Sequence, residues 1–180
     1  MTFMPIFTIG HSNRTIGAFV ALLKGAGVDL LADVRSYPVS RYSPQFNKAA
    51  LEESLVGEGI AYRHLPALGG RRPVSKQPSP NGLWREGGFR NYADYAMTSA
   101  FQAGFDTLLT LGRECTVAIM CAEADWHNCH RRIVTDYLLA AGVEVRHILD
   151  KGIESARLTP GARPERDGHV IYAPVQRELL

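Results

Sequence analysis

Two thiols, two imidazoles, two carboxylates and a guanidinium fall within eleven consecutive residues, Cys121-Ala-Glu-Ala-Asp-Trp-His-Asn-Cys-His-Arg131. Thiolates are nucleophiles, imidazoles and carboxylates move protons, and a guanidinium grips phosphate or carboxylate. Cys121 closes an apolar, strand-like run that begins at Val117. Cys129 opens a helical pattern that runs to residue 141, with Asn128 as its expected N-cap. A cysteine in the first turn of a helix, beside Arg131, is expected to have a lowered thiol pKa. Glu123 is placed to orient or deprotonate a neighbour. In a parallel α/β fold, ligands bind where a strand ends and the next helix begins.

The elements that must hold these groups can be read along the chain. Residues 3–9 form a first strand that ends at Gly10-His11-Ser12. Thr15 is a plausible N-cap for a helix over 16–25, where Ile16, Phe19, Val20, Leu22 and Leu23 recur at helical spacing. A second apolar strand over 28–34 runs into Arg35-Ser36, a helix follows near 48–57, and 60–64 is a third strand. Residues 66–90 lack periodicity, which in a domain of this size predicts a lid. One long amphipathic helix is expected over 91–111, strands over 117–121 and 143–149, and an irregular tail over 150–180 that packs on the domain. Strands and helices alternate. The expectation for 1–180 is a single α/β domain: a mostly parallel sheet of about five strands with helices on both faces, a Rossmann-like layering.

In such a sheet every strand ends on the same edge. His11 and Ser12, Arg35 and Ser36, His64, Cys121 and Glu123 then meet there, and His147 lies in the fifth strand. Polar residues after strand after strand favour a functional cleft. Arg35, Arg131, Ser12, Ser36 and the helix N-terminus near Cys129 form the expected anion site. Each feature has a plainer reading. A free cysteine is most often a small buried apolar residue, and the arginines can pair with Asp33, Glu123 or Asp125. Cys121, Cys129, His127 and His130 have the right types for zinc, but no Cys-x-x-Cys or His-x-x-x-His pair occurs, and no metal site is assigned.

Composition sets the bounds. The chain has 180 residues, 46% hydrophobic and 21% charged, with a net charge of +2. These are ordinary values for a globular domain and give no strong basic field. The basic residues are 16 Arg and 4 Lys, a bias toward the better bidentate anion ligand that genomic base composition also produces. No apolar run approaches a membrane span of about 20 residues, so no membrane partner is expected. The N-terminus lacks a signal-peptide pattern, so a cytoplasmic location is the expectation. Three cysteines without an export signal argue against a disulfide framework. No dinucleotide or phosphate-loop fingerprint is present, so no cofactor is expected.

Two local likenesses do not carry through. The order strand, Cys121, loop, helix resembles rhodaneses and cysteine phosphatases. Their arginine follows the cysteine closely, whereas His127 stands at the phosphatase position and Arg131 is ten residues from Cys121. Cys129-His130-Arg131 is similar to the Pro-Cys-His-Arg of alkylguanine-DNA alkyltransferases, with Asn128 replacing the proline.

A broader resemblance does. Thr8-Ile-Gly-His-Ser12, Asp33-Val-Arg-Ser-Tyr-Pro38, Pro44-Gln-Phe-Asn47, Leu68-Gly-Gly-Arg71, Tyr92-Ala-Asp-Tyr95, Met120-Cys-Ala-Glu123, Cys129-His-Arg131 and Leu158-Thr-Pro-Gly-Ala-Arg163 occur in this order. On them the chain is identified as a member of the bacterial domain-of-unknown-function family 488, over roughly residues 6–172. Trp126-His127 departs from the family pattern. The resemblance implies an α/β fold and no established reaction. Its polar motifs fall on His11, Arg35, Cys121, Glu123, Cys129, His130 and Arg131.

Three functions fit this reading. The first is an enzyme acting on a small phosphate- or carboxylate-bearing ligand, with nucleotides and nucleic acids among the candidates. Cys121 or Cys129 would be its nucleophile, and His11, Glu123 or His130 its acid or base. The second is a non-catalytic nucleotide or nucleic-acid binding module. The third is a metal-stabilised interaction domain.

Overall fold

Five strands whose C-terminal ends line one edge form the frame of the computed structural model, which describes residues 3–85 and 87–175. They are β1 (Ile6–Gly10), β2 (Leu30–Asp33), β3 (Ala61–His64), β4 (Val117–Cys121) and β5 (Val145–Leu149). A sixth, β6 (Gly152–Ser155), pairs antiparallel with β5, and the sheet order is β3-β2-β4-β1-β5-β6. All other pairings in this sheet are parallel. Register aligns the strand ends: Gly10 lies opposite Cys121, and Asp33 opposite both Met120 and His64.

Alternation along the strands separates two cores. On β4, Ala118 and Met120 join Phe7, Ile9 and Leu31 against α1 (Ile16–Gly25) and α2 (Lys48–Val56). Val117 and Ile119 join Ile6 and Ala32 against α3 (Gly88–Tyr95), α4 (Ser99–Glu114) and α5 (Arg131–Ala140). Both faces are covered, which is why the strands read as continuous apolar runs. Fully burying one Leu or Phe contributes about 2 kcal/mol, so the two cores fix the register on which the aligned strand ends depend.

The expected helix over 91–111 is two helices. Thr98 adopts an extended conformation and caps α4 by accepting a hydrogen bond from the Phe101 N–H. The apolar spacing runs across the break because Tyr92 and Ala96 before it, and Phe101 and Phe105 after it, enter the same core. The start of α5 is also corrected. Asn128 ends a short 3-10 turn, Trp126–Asn128, and Cys129 stands between that turn and the helix, whose N-cap is His130.

The tail is more ordered than expected. Besides β6 it contains a hairpin of β7 (Ala162–Pro164) and β8 (Val170–Tyr172). Asp136 on α5 binds it, accepting from the Thr159 N–H at 2.8 Å and the Tyr172 hydroxyl at 2.7 Å. Segment 66–90 includes Glu86 and the tail ends at 176–180, residues that lie outside those described. Among the described residues no helix is long and apolar enough to cross a membrane.

Candidate functional site

Beyond the strand ends, β1 and β4 continue side by side. The His11 N–H donates to the Cys121 carbonyl and the Ser12 N–H to the Ala122 carbonyl, both at 2.9 Å. This brings the Glu123 carbonyl over Gly10 so closely that any Cβ there would overlap it. Ser12 takes up a left-handed conformation at φ 48° and turns the chain away. A cleft of about 600 Å³ opens at this edge, lined among others by His11, Arg35, Ser36, Arg71, Cys121, Glu123, Cys129 and His130.

The two thiols occupy its floor. Cys129 is 4% exposed, and its sulfur lies 3.5 Å from His130 Nδ1 and 3.4 Å from the Arg131 N–H. The other ring nitrogen of His130 is 2.7 Å from the Val34 carbonyl. A carbonyl only accepts, so Nε2 carries a proton and Nδ1 is the nitrogen that exchanges one with Cys129. Burial opposes ionisation of Cys129. The hydrogen bonds from Cys121 and His130, with the charges of His130 and Arg131, outweigh it and hold its pKa well below the ordinary thiol range. Cys121 goes the other way: burial first, then the neighbouring Cys129, push it well up, and its S–H points to the Glu123 carbonyl at 3.7 Å. Of the two, Cys129 is the one whose surroundings favour ionisation, and the two are not joined as a disulfide.

Arg35 is buried and doubly bound to Asp33, with Nε and Nη2 each on a carboxylate oxygen at 2.9 and 2.7 Å. Tyr62 donates to the same carboxylate, and burial and that contact raise its pKa strongly. Arg35 Nη1 lies 3.3 Å from His11 Nε2. With His11 Nδ1 on the Ser12 carbonyl at 2.8 Å, both imidazole nitrogens are engaged. Burial, then the Arg35 charge, lower the pKa of this ring. His11 thus sits where it can orient Arg35.

Arg131 is placed differently from the sequence expectation of a guanidinium lining an anion site. Its guanidinium, 1% exposed, turns beneath the loop after β4. There it donates to the Glu123 carbonyl at 2.7 Å, the Ala124 carbonyl at 3.4 Å and the Thr8 hydroxyl at 3.2 Å. Ser12 also stands outside the cleft lining, in the turn that carries Asn13. Ser36 lines the cleft, and its hydroxyl accepts from the Arg71 N–H at 3.0 Å. Glu123 is exposed at the rim.

Arg71 is the cleft residue that sequence reading left out of the anion site. Its signal was the Gly69-Gly70 pair before it. A Cβ on Gly69 would strike Ser36, and one on Gly70 would strike the His130 ring, so the glycines let this segment reach the site. The segment is anchored by Tyr92 and Tyr95, whose hydroxyls donate to the Leu68 and Ala67 carbonyls at 2.7 Å. His147, expected near the edge, is buried behind the cleft, hydrogen-bonded to Thr8 at 2.7 Å and stacked on Trp126. Among the described residues no group of three or more His, Cys, Asp or Glu side chains is arranged to hold a metal ion.

A family model described as "Domain of unknown function DUF488" matches residues 15–138. The chain belongs to this family. No curated protein and no solved structure matches the chain. The stretch matched to DUF488 contains Arg35, Ser36, Arg71, Cys121, Cys129 and His130, and begins after His11.

Proposed function

We propose that this DUF488 protein is a thiol-dependent enzyme acting on a small ligand that carries a phosphate or carboxylate group. The observation that carries the reading is the setting of Cys129. Its sulfur accepts from a helix N-terminal amide and faces the one free nitrogen of His130, on the floor of a cleft with Arg35 and Arg71 in its walls. That combination activates a thiol and places an anion beside it.

In this mechanism Cys129 attacks an electrophilic atom of the ligand. His130 holds the thiol proton at Nδ1 and delivers it to the leaving group. Exposed Arg71 binds the anion, with Arg35 in the cleft lining beside it, and His11 positions Arg35. Arg131 keeps the loop after β4 in place through its carbonyl contacts. Glu123 at the rim exchanges protons with solvent. Segment 66–90 serves as a wall of the site, with Gly70, Arg71 and Phe89 facing in.

Protection from alkylation tests both halves of the reading. Inorganic phosphate should slow iodoacetamide modification of Cys129, and Arg71→Ala should abolish the protection while leaving the unprotected rate near wild type. An alkylation rate indifferent to phosphate contradicts the anion site. Absence of Cys129 alkylation contradicts the nucleophile and leaves a binding module on the same arginines.

A further inference from the structure

We propose that Cys121 is the resolving partner of Cys129, and that together they are a dithiol which reduces small disulfides bearing carboxylate groups. The inference rests on Cys129 being the nucleophile and extends that reading to a substrate class.

Three observations support it. Cys121 and Cys129 line the same cleft, and Arg131 bridges their surroundings: the Cys121 sulfur lies 3.7 Å from the Glu123 carbonyl that the guanidinium holds at 2.7 Å, and the Cys129 sulfur lies 3.4 Å from the Arg131 N–H. The chain between them is a loop whose residues 122–125 and 127–128 are exposed, so it can adjust as a bond forms between its ends. Arg131 ties that loop at both ends, through its guanidinium on the Glu123 carbonyl and its backbone N–H on the Cys129 sulfur. A structural buried thiol needs none of this. Cys115, the third cysteine, lies at the end of α4 with its S–H toward the Leu111 carbonyl and takes no part in the cleft.

The chemistry balances with the disulfide as sole oxidant. The Cys129 thiolate attacks one sulfur of R–S–S–R, forming a Cys129–S–S–R mixed disulfide and releasing RS⁻, which takes the proton held at His130. Cys121 then attacks the Cys129 sulfur, and its S–H proton leaves with the second RS⁻. The products are two RSH and a Cys121–Cys129 disulfide. Attack requires a thiolate, and the leaving thiol departs faster when it is the more acidic one. Arg71, exposed in the wall, is the group to receive a substrate carboxylate.

The test uses the full chain carrying Cys115→Ser, reduced, then mixed with oxidised glutathione or with the uncharged hydroxyethyl disulfide, and followed by intact mass and peptide mapping. The expected product is a Cys121–Cys129 linkage with two thiols released per chain. A mixed disulfide on Cys129 should rise and decay before it in the time course. Cys121→Ser should stop at that adduct, and Arg71→Ala should slow capture of glutathione disulfide about tenfold while sparing the uncharged one. A glutathione adduct that persists, with no internal linkage, overturns the resolving role. Cys129 that iodoacetamide alkylates at acidic pH but neither disulfide modifies overturns the substrate class and leaves the nucleophile standing. Cys129 inert to all three reagents overturns the nucleophile as well. The time course decides the resolving role even where Cys121→Ser fails to fold.

Discussion

His130 presents Nδ1 to the Cys129 sulfur at 3.5 Å because its Nε2 is committed, at 2.7 Å, to the Val34 carbonyl at the end of β2. Two residues adjacent in the chain are thus oriented toward each other by the end of β2. The pairing depends on the parallel register that aligns the ends of β2 and β4, so its geometry is a consequence of the sheet order.

Gly70 holds that pair in place by staying small. A Cβ at this position would run into the His130 ring. Gly70→Ala should displace the imidazole from Cys129 and cut alkylation of Cys129 at neutral pH about tenfold, with a stability loss of only about 1–2 kcal/mol because the ring can shift toward the cleft. Alkylation kinetics and urea unfolding measure the two effects. An unchanged pH profile would show that His130 does not set the state of the thiol.

Arg131 acts through structure. Replacing it with Met removes the donors to the Glu123 and Ala124 carbonyls and to the Thr8 hydroxyl. The Glu123 and Ala124 carbonyls belong to exposed residues and the buried Thr8 hydroxyl keeps His147 as a partner, so the loss should be about 1–3 kcal/mol. Urea denaturation should show a lowered midpoint at unchanged slope. A loss under about 0.5 kcal/mol would mean the loop is held by other contacts.

His147 predicts an acid-sensitive step in stability. Burial first, then the charges of Arg131 and His127, lower its pKa to about 4. In the unfolded chain it titrates near about 6.5. Between these values the unfolded state binds more protons, so stability falls as pH drops from about 6.5 and the loss is complete near pH 4. The effect is on the order of 3 kcal/mol. His147→Gln keeps a partner for Thr8 and removes the titration. The slope of stability against pH in this window should shrink by about one proton relative to wild type. His11 contributes in the same direction and is common to both proteins. Equal slopes would show that His147 is protonated without cost.

Much of the fold and the position of the candidate cleft were legible in the sequence, for physical reasons that can be named. β4 and α1 have the bounds that apolar periodicity and the Thr15 cap assign, because burial and capping act locally. The α3–α4 break was hidden because the periodicity crosses it. β6 left no apolar trace because all four of its residues are exposed, and it is held by backbone pairing with β5. The cleft position followed from strand ends sharing one edge. The placement of the arginines did not, because an arginine with anion-binding chemistry serves equally well to hold backbone carbonyls. Arg131 does the latter, while exposed Arg71 enters the cleft behind two glycines whose need is visible only in three dimensions.

The most direct test of the account is the pH dependence of iodoacetamide alkylation at each cysteine, read by mass spectrometry, in wild type and in His130→Gln. The account predicts that Cys129 reacts with an apparent pKa at least about two units below the ordinary thiol value of about 8.5. Cys121 and Cys115 should react only above that value, consistent with the burial that raises both. His130→Gln should return Cys129 toward the ordinary range. A Cys129 that titrates at or above about 8.5 in the wild type would contradict the thiolate, and with it the proposed reaction.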